Sequence, residues 1–512
     1  MERDYKKIYK DILLDGLFSE YLPPCFKLDE RMFCNIPENN CDLIQPYSFT
    51  MSRFNTNDSR RTIFIPEIGA HAVLNHYIEE NKILEEILNF IDDDEFSFSK
   101  IIMDDGSIRK HEQVYGIEIA KDEKINSQYI DNVVKKLIIS AGAKKVLKLD
   151  IANCFSSFYT HYIPAIILGY EIAEKNYNKS LKKKNNKDEE VDEIDEKYKI
   201  YSELDKIIRK QNKNQTNGLL VGPIISKIIV EGLLSRIDLE LKEKGVLFTR
   251  YVDDYEVYLF EDNEDYLKNI FVSILKKYGL SLNFEKIELV DFPYYMVKNF
   301  DKIIEQYRDK KVEDYDLIQL FNTFFEIEKF GTKGAIRYLL KSLEKELIDV
   351  ENRELFNSYI LTIMSNNPRS LTKACSLFIK NKNDVRLDEN HIKRIKEMLE
   401  LNLEKHYDLE VIWLLYILIE TDNTDKIVKD DTILNKVLKS DNELAILMLL
   451  RKSLISDSDI DAIKQNAKSW ILNYELFAMN SISMEELSDR IPIIKNKKMY
   501  EKLKEQNLHF CY

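Results

Sequence analysis

Glycine and proline divide this chain into two unlike halves. Eleven of the thirteen Gly and eight of the ten Pro stand before residue 300, and only Gly331, Gly334, Pro368 and Pro492 follow it. Turns and strand ends need these residues. Helix interiors exclude them, because glycine loses the most backbone freedom on ordering and proline removes a donor. The C-terminal half is therefore expected to be nearly all helix. Three strongly apolar stretches agree with this: Glu410–Glu420, Glu443–Leu454 and Trp470–Met479, separated by connectors rich in Asp, Asn and Lys. Consecutive helices with short connectors point to an antiparallel bundle or a HEAT-like stack, the stack being preferred although no exact repeat is visible.

The N-terminal half is mixed. Arg61–Phe64 reads as a short strand, and Gly69–Asn89 as a helix followed by more helix. VLKLDIANCF and LFTRYVDDYEVYLF are strand-like runs rich in Val, Ile, Tyr and Phe. Between them lies a polar stretch, Glu174–Gln215, with KKKNNKDEEVDEIDEK at its centre. It reads as a solvated insertion, partly helical and partly disordered, with no visible role. The domains are expected at 1–300, carrying that insertion at about 174–215, and at 301–512.

Composition excludes several classes. With 512 residues, 44% hydrophobic and 32% charged, the chain is globular and long enough for two or three domains. Its formal charge of −14 is opposite to that of a protein that coats long nucleic acid, so any such contact must be local. No apolar run reaches the roughly 18 residues of a membrane helix. The start, MERDYKKIYKDILLDGLF, lacks the apolar core of a secretory signal. The six cysteines (Cys25, Cys34, Cys41, Cys154, Cys375, Cys511) form no CxxC pair, and a reducing cytoplasm is the expected location.

The sharpest chemical signal is Arg250-Tyr251-Val252-Asp253-Asp254, flanked by apolar strand residues. Adjacent carboxylates at such a tip are costly unless solvated or paired with cations, although Asp-Asp is also acceptable in a plain hairpin turn. Asp150, closing Lys148-Leu149-Asp150, is the second signal. Together, one carboxylate at a strand end and a pair on a hairpin can converge on two divalent cations. Such cations, roughly 3.5–4 Å apart, clamp the attacking and leaving oxygens of phosphoryl transfer. Asp150 and Asp253 are expected as the shared ligands, Asp254 as a weaker or outer one, and the Ile151 carbonyl as a backbone ligand. The expected cofactor is two Mg²⁺ ions, with Mn²⁺ as the substitute.

These segments resemble the reverse-transcriptase palm. Asp150 matches the motif A aspartate, Phe155 the steric-gate position, and Arg250–Asp254 the bacterial form of motif C. Asn217-Gly218-Leu219-Leu220-Val221-Gly222-Pro223-Ile224-Ile225-Ser226 resembles motif B. Gly279-Leu280-Ser281-Leu282-Asn283-Phe284-Glu285-Lys286 resembles motif D and its lysine. All four occur in the right order. The resemblance implies an α+β reverse-transcriptase fingers and palm domain, followed by the all-α helical domain. Phe155 would exclude a 2′-hydroxyl. Gly218 and Gly222 would let backbone approach the nucleotide or primer end, with Ser226 in the same nucleotide-binding motif. Lys286 would act as general acid. Arg60 and Arg61, in the fingers region, would bind the triphosphate of a dNTP.

Further details resemble the abortive-infection reverse transcriptases, the AbiK-type group and its prophage-encoded relatives. They are Phe158-Tyr159-Thr160-His161, Asp291-Phe292-Pro293 and Lys333-Gly334-Ala335-Ile336. This resemblance implies bacterial antiphage defence and untemplated DNA synthesis. It also implies single-stranded DNA covalently attached through a tyrosine, and a homo-oligomer, trimer or hexamer. An exposed or flexible segment must carry the primer, which makes Tyr5, Tyr9 and Tyr47 the candidates. His161 reads as structural. Two other functions compete: conventional RNA-templated reverse transcription, and a non-catalytic scaffold whose helical half binds a protein partner.

Overall fold

A computed structural model describes residues 3–33, 41–52, 60–103, 106–108, 129–185, 193–295, 300–308, 310–332, 334–344, 348–380, 387–428 and 431–512. Lys333, Cys34 and the centre of the polar insertion, 186–192, lie outside them.

The catalytic candidates sit on a four-stranded sheet. Its strands are β3 (Lys145–Asp150), β4 (Phe248–Tyr251), β5 (Asp254–Leu259) and β6 (Glu288–Asp291), in the order β4-β5-β3-β6 with all pairs antiparallel. Side chains alternate along a strand, so cross-strand partners share a face. Leu147 and Leu149 face a helical layer that includes Ile224–Glu243 and Glu264–Lys277, together with Tyr255 and Val257. The other face carries the pairs Asp150–Asp254, Lys148–Glu256 and Val146–Tyr258. Strand alternation alone therefore separates the core from the chemistry.

A second, two-stranded sheet pairs β1 (Tyr47–Ser52) with β2 (Arg60–Ile65) in antiparallel register. It runs into the helices Ile68–Glu80 and Ile83–Asp92, which agrees with the expectation of a helix followed by more helix over Gly69–Asn89. The described parts of the polar insertion are helical, as the expectation of a partly helical segment has it, but they are not simply solvated. They fold into the helices Tyr170–Asn185 and Glu196–Gln211, and the second buries Tyr198, Tyr201, Leu204, Ile207 and Ile208. Polar composition masked a stripe of apolar residues at helical spacing.

Beyond residue 300 the described elements are helices apart from a short parallel pair, Lys311–Val312 with Asp349–Val350, and an isolated bridge of Cys511 to Phe26. The helices Ala335–Glu344, Leu371–Lys380, Asp408–Glu420, Glu443–Arg451, Trp470–Ala478 and Lys497–Glu505 pack one on the next in a row. Every residue from Leu409 to Ile419 is buried, as expected of an inner-row helix that is apolar all round.

The two cores do not divide at residue 300. One joins Ile8, Tyr9, Ile12, Cys41 and residues 70–102 to residues 147–282. The other joins residues 17–72, including the β1–β2 hairpin, to residues 304–511. Polar contacts tie the same pieces together. Trp413 Nε1 donates to the Tyr21 carbonyl at 2.7 Å. Asp42 accepts the backbone N–H groups of Ile494, Lys495 and Asn496. Glu67 accepts from Tyr500 and Asn496. The hairpin thus belongs to the helical core by packing, although it precedes the sheet in sequence. No described helix is long and apolar enough to cross a membrane.

Candidate active site

Register brings the acids together. β3 ends on Asp150, directly opposite Asp254 at the start of β5. Only Val252 and Asp253 link β4 to β5, and Val252 has φ +57°. A left-handed first turn residue is normally glycine, so a β-branched valine there holds a tight but strained tip. The Ile151 N–H donates to the Asp253 carbonyl at 3.2 Å, locking the tip to the end of β3. The segment 281–286 is stitched alongside. Ala152 N–H donates to the Ser281 carbonyl, and Asn283 N–H to the Asp150 carbonyl, both at 2.8 Å. This places Lys286 Nζ 2.7 Å from Asp150 Oδ2.

Three carboxylates this close raise one another's pKa. Asp254 opens to solvent at the mouth of the site. Even so, the protein mass around it, then the charges of Asp253 and Asp150, push its carboxyl up to about 7. Asp253 is raised by burial and by Asp150, while Arg61 and Lys286 act in the opposite sense. Such values belong to the cluster as a whole. An anionic cluster of hard oxygens that resists ionisation is the donor set that suits Mg²⁺ or Mn²⁺. Among the described residues no three His, Cys, Asp or Glu side chains are gathered into a ready-made metal site. Instead the Lys286 ammonium supplies the positive charge at Asp150.

Behind the tip lies a network that sequence reasoning missed. Arg250 is fully buried. Its Nε donates to Asp238 at 2.5 Å, and its two terminal nitrogens to Glu231 at 3.0 and 2.9 Å. One of them also donates to the Val252 carbonyl at 3.0 Å, so the guanidinium holds the strained residue directly. Asp94 completes the ion pairs at 3.4 Å. Ser97 and Ser99 donate to Glu231, and the Tyr255 hydroxyl to Asp238. The available signal was an arginine inside an apolar strand, which demands buried counter-charges.

The remaining candidates separate. Arg61 is exposed on β2 and lies near enough to Asp253 to hold its carboxyl down. Arg60, its neighbour on the strand, points away. It makes a bidentate pair with Glu410, at 2.6 and 3.0 Å, and stacks 3.9 Å from the Tyr407 ring centroid. The expectation that Arg60 binds triphosphate is therefore corrected: alternation along β2 commits it to the helical core. Phe155 is half-buried on the short helix Cys154–Ser157, and its carbonyl accepts from Leu219 N–H at 2.8 Å. Ser226 is buried within Ile224–Glu243.

The two glycines face the protein itself. A Cβ on Gly218 would lie 3.2 Å from the Ser156 carbonyl oxygen. A Cβ on Gly222 would lie 2.7 Å from that of Phe64 on β2. In both cases the close approach is to protein backbone. Two tyrosine candidates are also corrected. Tyr9 is buried, with its hydroxyl on Glu85, and Tyr47 is buried in the helical core. Tyr5 is half-buried, its hydroxyl 3.2 Å from Asn89 Oδ1. His161 pairs with Asp205 at 2.8 Å, and Arg209 donates to the same carboxylate at 3.0 Å.

No family model matches the sequence, and no curated protein does. Similar solved structures include apo telomerase from Candida tropicalis, at 13% identity and TM-score 0.33, covering 78% of this chain and 69% of that one. Telomerase from Candida albicans in complex with a TWJ fragment of telomeric RNA matches at 14% identity and TM-score 0.29, covering 80% of this chain and 65% of that one. The corresponding complex from Candida tropicalis matches at 12% identity and TM-score 0.32, covering 78% and 64%. The chain spans less than two-thirds of the length of the two RNA-bound telomerase chains.

Proposed function

We propose that this chain is a metal-dependent nucleotidyltransferase of reverse-transcriptase type that makes DNA from dNTPs. The observation that carries this reading is the carboxylate cluster: Asp150 and Asp254 opposed across two strands, Asp253 at the tip beside them, and Lys286 on Asp150. Asp150, Asp253 and the Ile151 carbonyl would hold two Mg²⁺ ions, with Asp254 as an outer ligand. When bound, the ions supply charge neutralisation for the attacking oxygen and the leaving phosphates.

The protein's own groups do the rest. A primer hydroxyl gives up its proton to solvent as its oxygen bonds to the α-phosphorus, the bond from that phosphorus to the bridging oxygen breaks, and pyrophosphate leaves. Arg61 receives the triphosphate opposite Asp253, as a guanidinium does through paired donors. Phe155 lies against the sugar and disfavours a 2′-hydroxyl. The Lys286 ammonium gives a proton to the departing pyrophosphate.

The finer reading is untemplated, protein-primed synthesis in bacterial antiphage defence by a homo-oligomer with covalently attached single-stranded product. Its support is the abortive-infection resemblance around Phe158–His161 and the chain's acidic balance, which suits an enzyme that holds no long duplex. Of the three tyrosine candidates only Tyr5 retains access to solvent. The burial of Tyr9 and Tyr47 favours a second reading, in which a nucleic-acid 3′ end primes synthesis on an RNA template.

The test is incubation of nuclease-treated protein with Mg²⁺ and labelled dNTPs, without template. Label that travels with the protein, shifts on proteolysis and is absent in Asp253→Ala is expected. Label only with added template selects the second reading, and full incorporation by Asp253→Ala sinks both.

A further inference from the structure

Cys25 and Cys511 are far apart in sequence and meet in the fold. Phe26 and Cys511 form an isolated antiparallel bridge, and the Tyr512 N–H donates to the Cys25 carbonyl at 3.0 Å. The thiol of Cys25 makes its side-chain contact with the thiol of Cys511. Both sulfurs also act on the Tyr416 hydroxyl, which places them around one point of the helical core. Both thiols are free and buried. Cys41, Cys154 and Cys375 are buried too, but the side chains that act on them are carboxylates, lysines and Arg250 rather than a thiol.

The bridge closes a strap. Beyond the helix Lys497–Glu505, the residues Leu508 to Cys511 are all buried. The Phe510 ring packs edge-on against Trp470 and Tyr474, at 5.1 and 5.2 Å between centroids. Arg451 Nε donates to the Cys511 carbonyl at 3.2 Å. Trp470 Nε1 in turn donates to the Ile65 carbonyl, at the end of β2, at 3.3 Å. On the other side of the bridge, residues 17–33 enter the same core as the β1–β2 hairpin. The strap thus joins the segment before the hairpin to the helices on which the hairpin rests.

We propose that Cys25 and Cys511 are a modification site, at which a peroxide forms a disulfide that clasps residues 17–33 to residues 508–511. Burial holds the Cys25 thiol well above its usual range, so it carries no thiolate in the closed fold. The first step therefore falls to Cys511. A segment held by one bridge and a few contacts opens locally at lower cost than a core helix. The exposed Cys511 thiol gives its proton to water, and its thiolate attacks one peroxide oxygen. The O–O bond breaks to leave a sulfenic acid and hydroxide, which takes up the proton. On closure the Cys25 sulfur attacks the Cys511 sulfur, the S–O bond breaks, and water leaves with the Cys25 proton. Two thiols and one peroxide become one disulfide and two waters, with two electrons passing from sulfur to oxygen. The clasp does not depend on the carboxylate cluster.

The experiment treats the intact wild-type protein with hydrogen peroxide, removes the excess with catalase, and alkylates the remaining thiols in urea. Mass spectrometry is expected to count six alkylated cysteines before treatment and four after it. Proteolysis should then release a peptide joining Cys25 to Cys511 that dithiothreitol separates. The thermal midpoint should rise by about 2–5 °C on oxidation and return on reduction, because the bond restricts the unfolded chain. Cys25→Ala and Cys511→Ala should each show neither the joined peptide nor the rise. The mass and peptide readings on wild type need no variant, so poor folding of either variant leaves the test intact. The clasp is overturned if peroxide consumes no thiol, if the joined peptide contains other cysteines, or if the Cys25–Cys511 bond forms only in urea. A bond that forms in the folded protein and leaves the midpoint unchanged overturns its role in holding the strap.

Discussion

Gly222→Ala probes the joint between the β1–β2 hairpin and the catalytic sheet. Gly222 has φ +134°, and an added Cβ would lie 2.7 Å from the Phe64 carbonyl oxygen and 3.0 Å from Ile63 Cγ2. The oxygen is backbone and cannot rotate away. Its strand is held by the Phe64 N–H, which donates to the Val221 carbonyl at 2.8 Å. The conformational strain costs about 1–3 kcal/mol and the lost hydrogen bond about 1 kcal/mol, so the variant should lose about 2–4 kcal/mol. Gly245→Ala is the control: it also has positive φ, +74°, but nothing lies within 4 Å of its Cβ. Urea denaturation of both variants measures the difference at constant m-value. Because Arg61 is on the displaced strand, Gly222→Ala should also raise the KM for dNTPs more than Gly245→Ala does. If the two variants are equally stable, the close approach is not what Gly222 provides.

Three further outcomes follow from the geometry. The Asp254 carboxyl is raised from an ordinary 3.8 to about 7, so the native state binds the extra proton in that window and stability falls as pH rises through it. Asp254→Asn should therefore melt above wild type at pH 8, converge with it below about pH 4, and lose its advantage when Mg²⁺ is added to both; parallel melting curves at all pH values refute the repulsion. Arg60→Ala should cost about 1–3 kcal/mol, couple with Glu410→Gln in a double-mutant cycle, and affect the KM for dNTPs less than Arg61→Ala; a larger KM effect from Arg60→Ala returns it to the nucleotide site. Arg250→Lys cannot contact Asp238, Glu231 and the Val252 carbonyl together, so the Mg²⁺ concentration for half-maximal activity should rise severalfold; unchanged metal dependence would show that the guanidinium does not position the tip.

The parts that local chemistry dictates were readable in advance. The scarcity of Gly and Pro after residue 300 marked the helical half, and the inner-row helices Asp408–Glu420 and Trp470–Ala478 fall where apolar residues crowd together. Apolar residues around Asp150 and Asp253–Asp254 marked the strands, although the first run was read as far as Phe155 and its strand ends at Asp150. Neither spacing nor motif order revealed the contact of Lys286 with Asp150; two backbone links between residues 150–152 and 281–283 produce it. The burial within the polar insertion went unread because its average composition hid the stripe from Tyr198 to Ile208.

What the sequence alone determined is what depends on neighbouring residues: helix against strand, the turn at Val252–Asp253, and which residue types have catalytic chemistry. What only the tertiary structure decided is which distant groups share a space. Alternation on β2 requires Arg60 and Arg61 to part, but packing against Tyr407 and Glu410 decides that Arg60 is the one withdrawn. Tyr47 and Tyr5 look alike in sequence, and long-range burial separates them. Arg250 is an ordinary strand residue until Glu231, Asp238 and Asp94 close around it. Dihedral preferences act over a few residues, whereas desolvation and ion pairing are set by whatever the folded chain brings within a few ångströms.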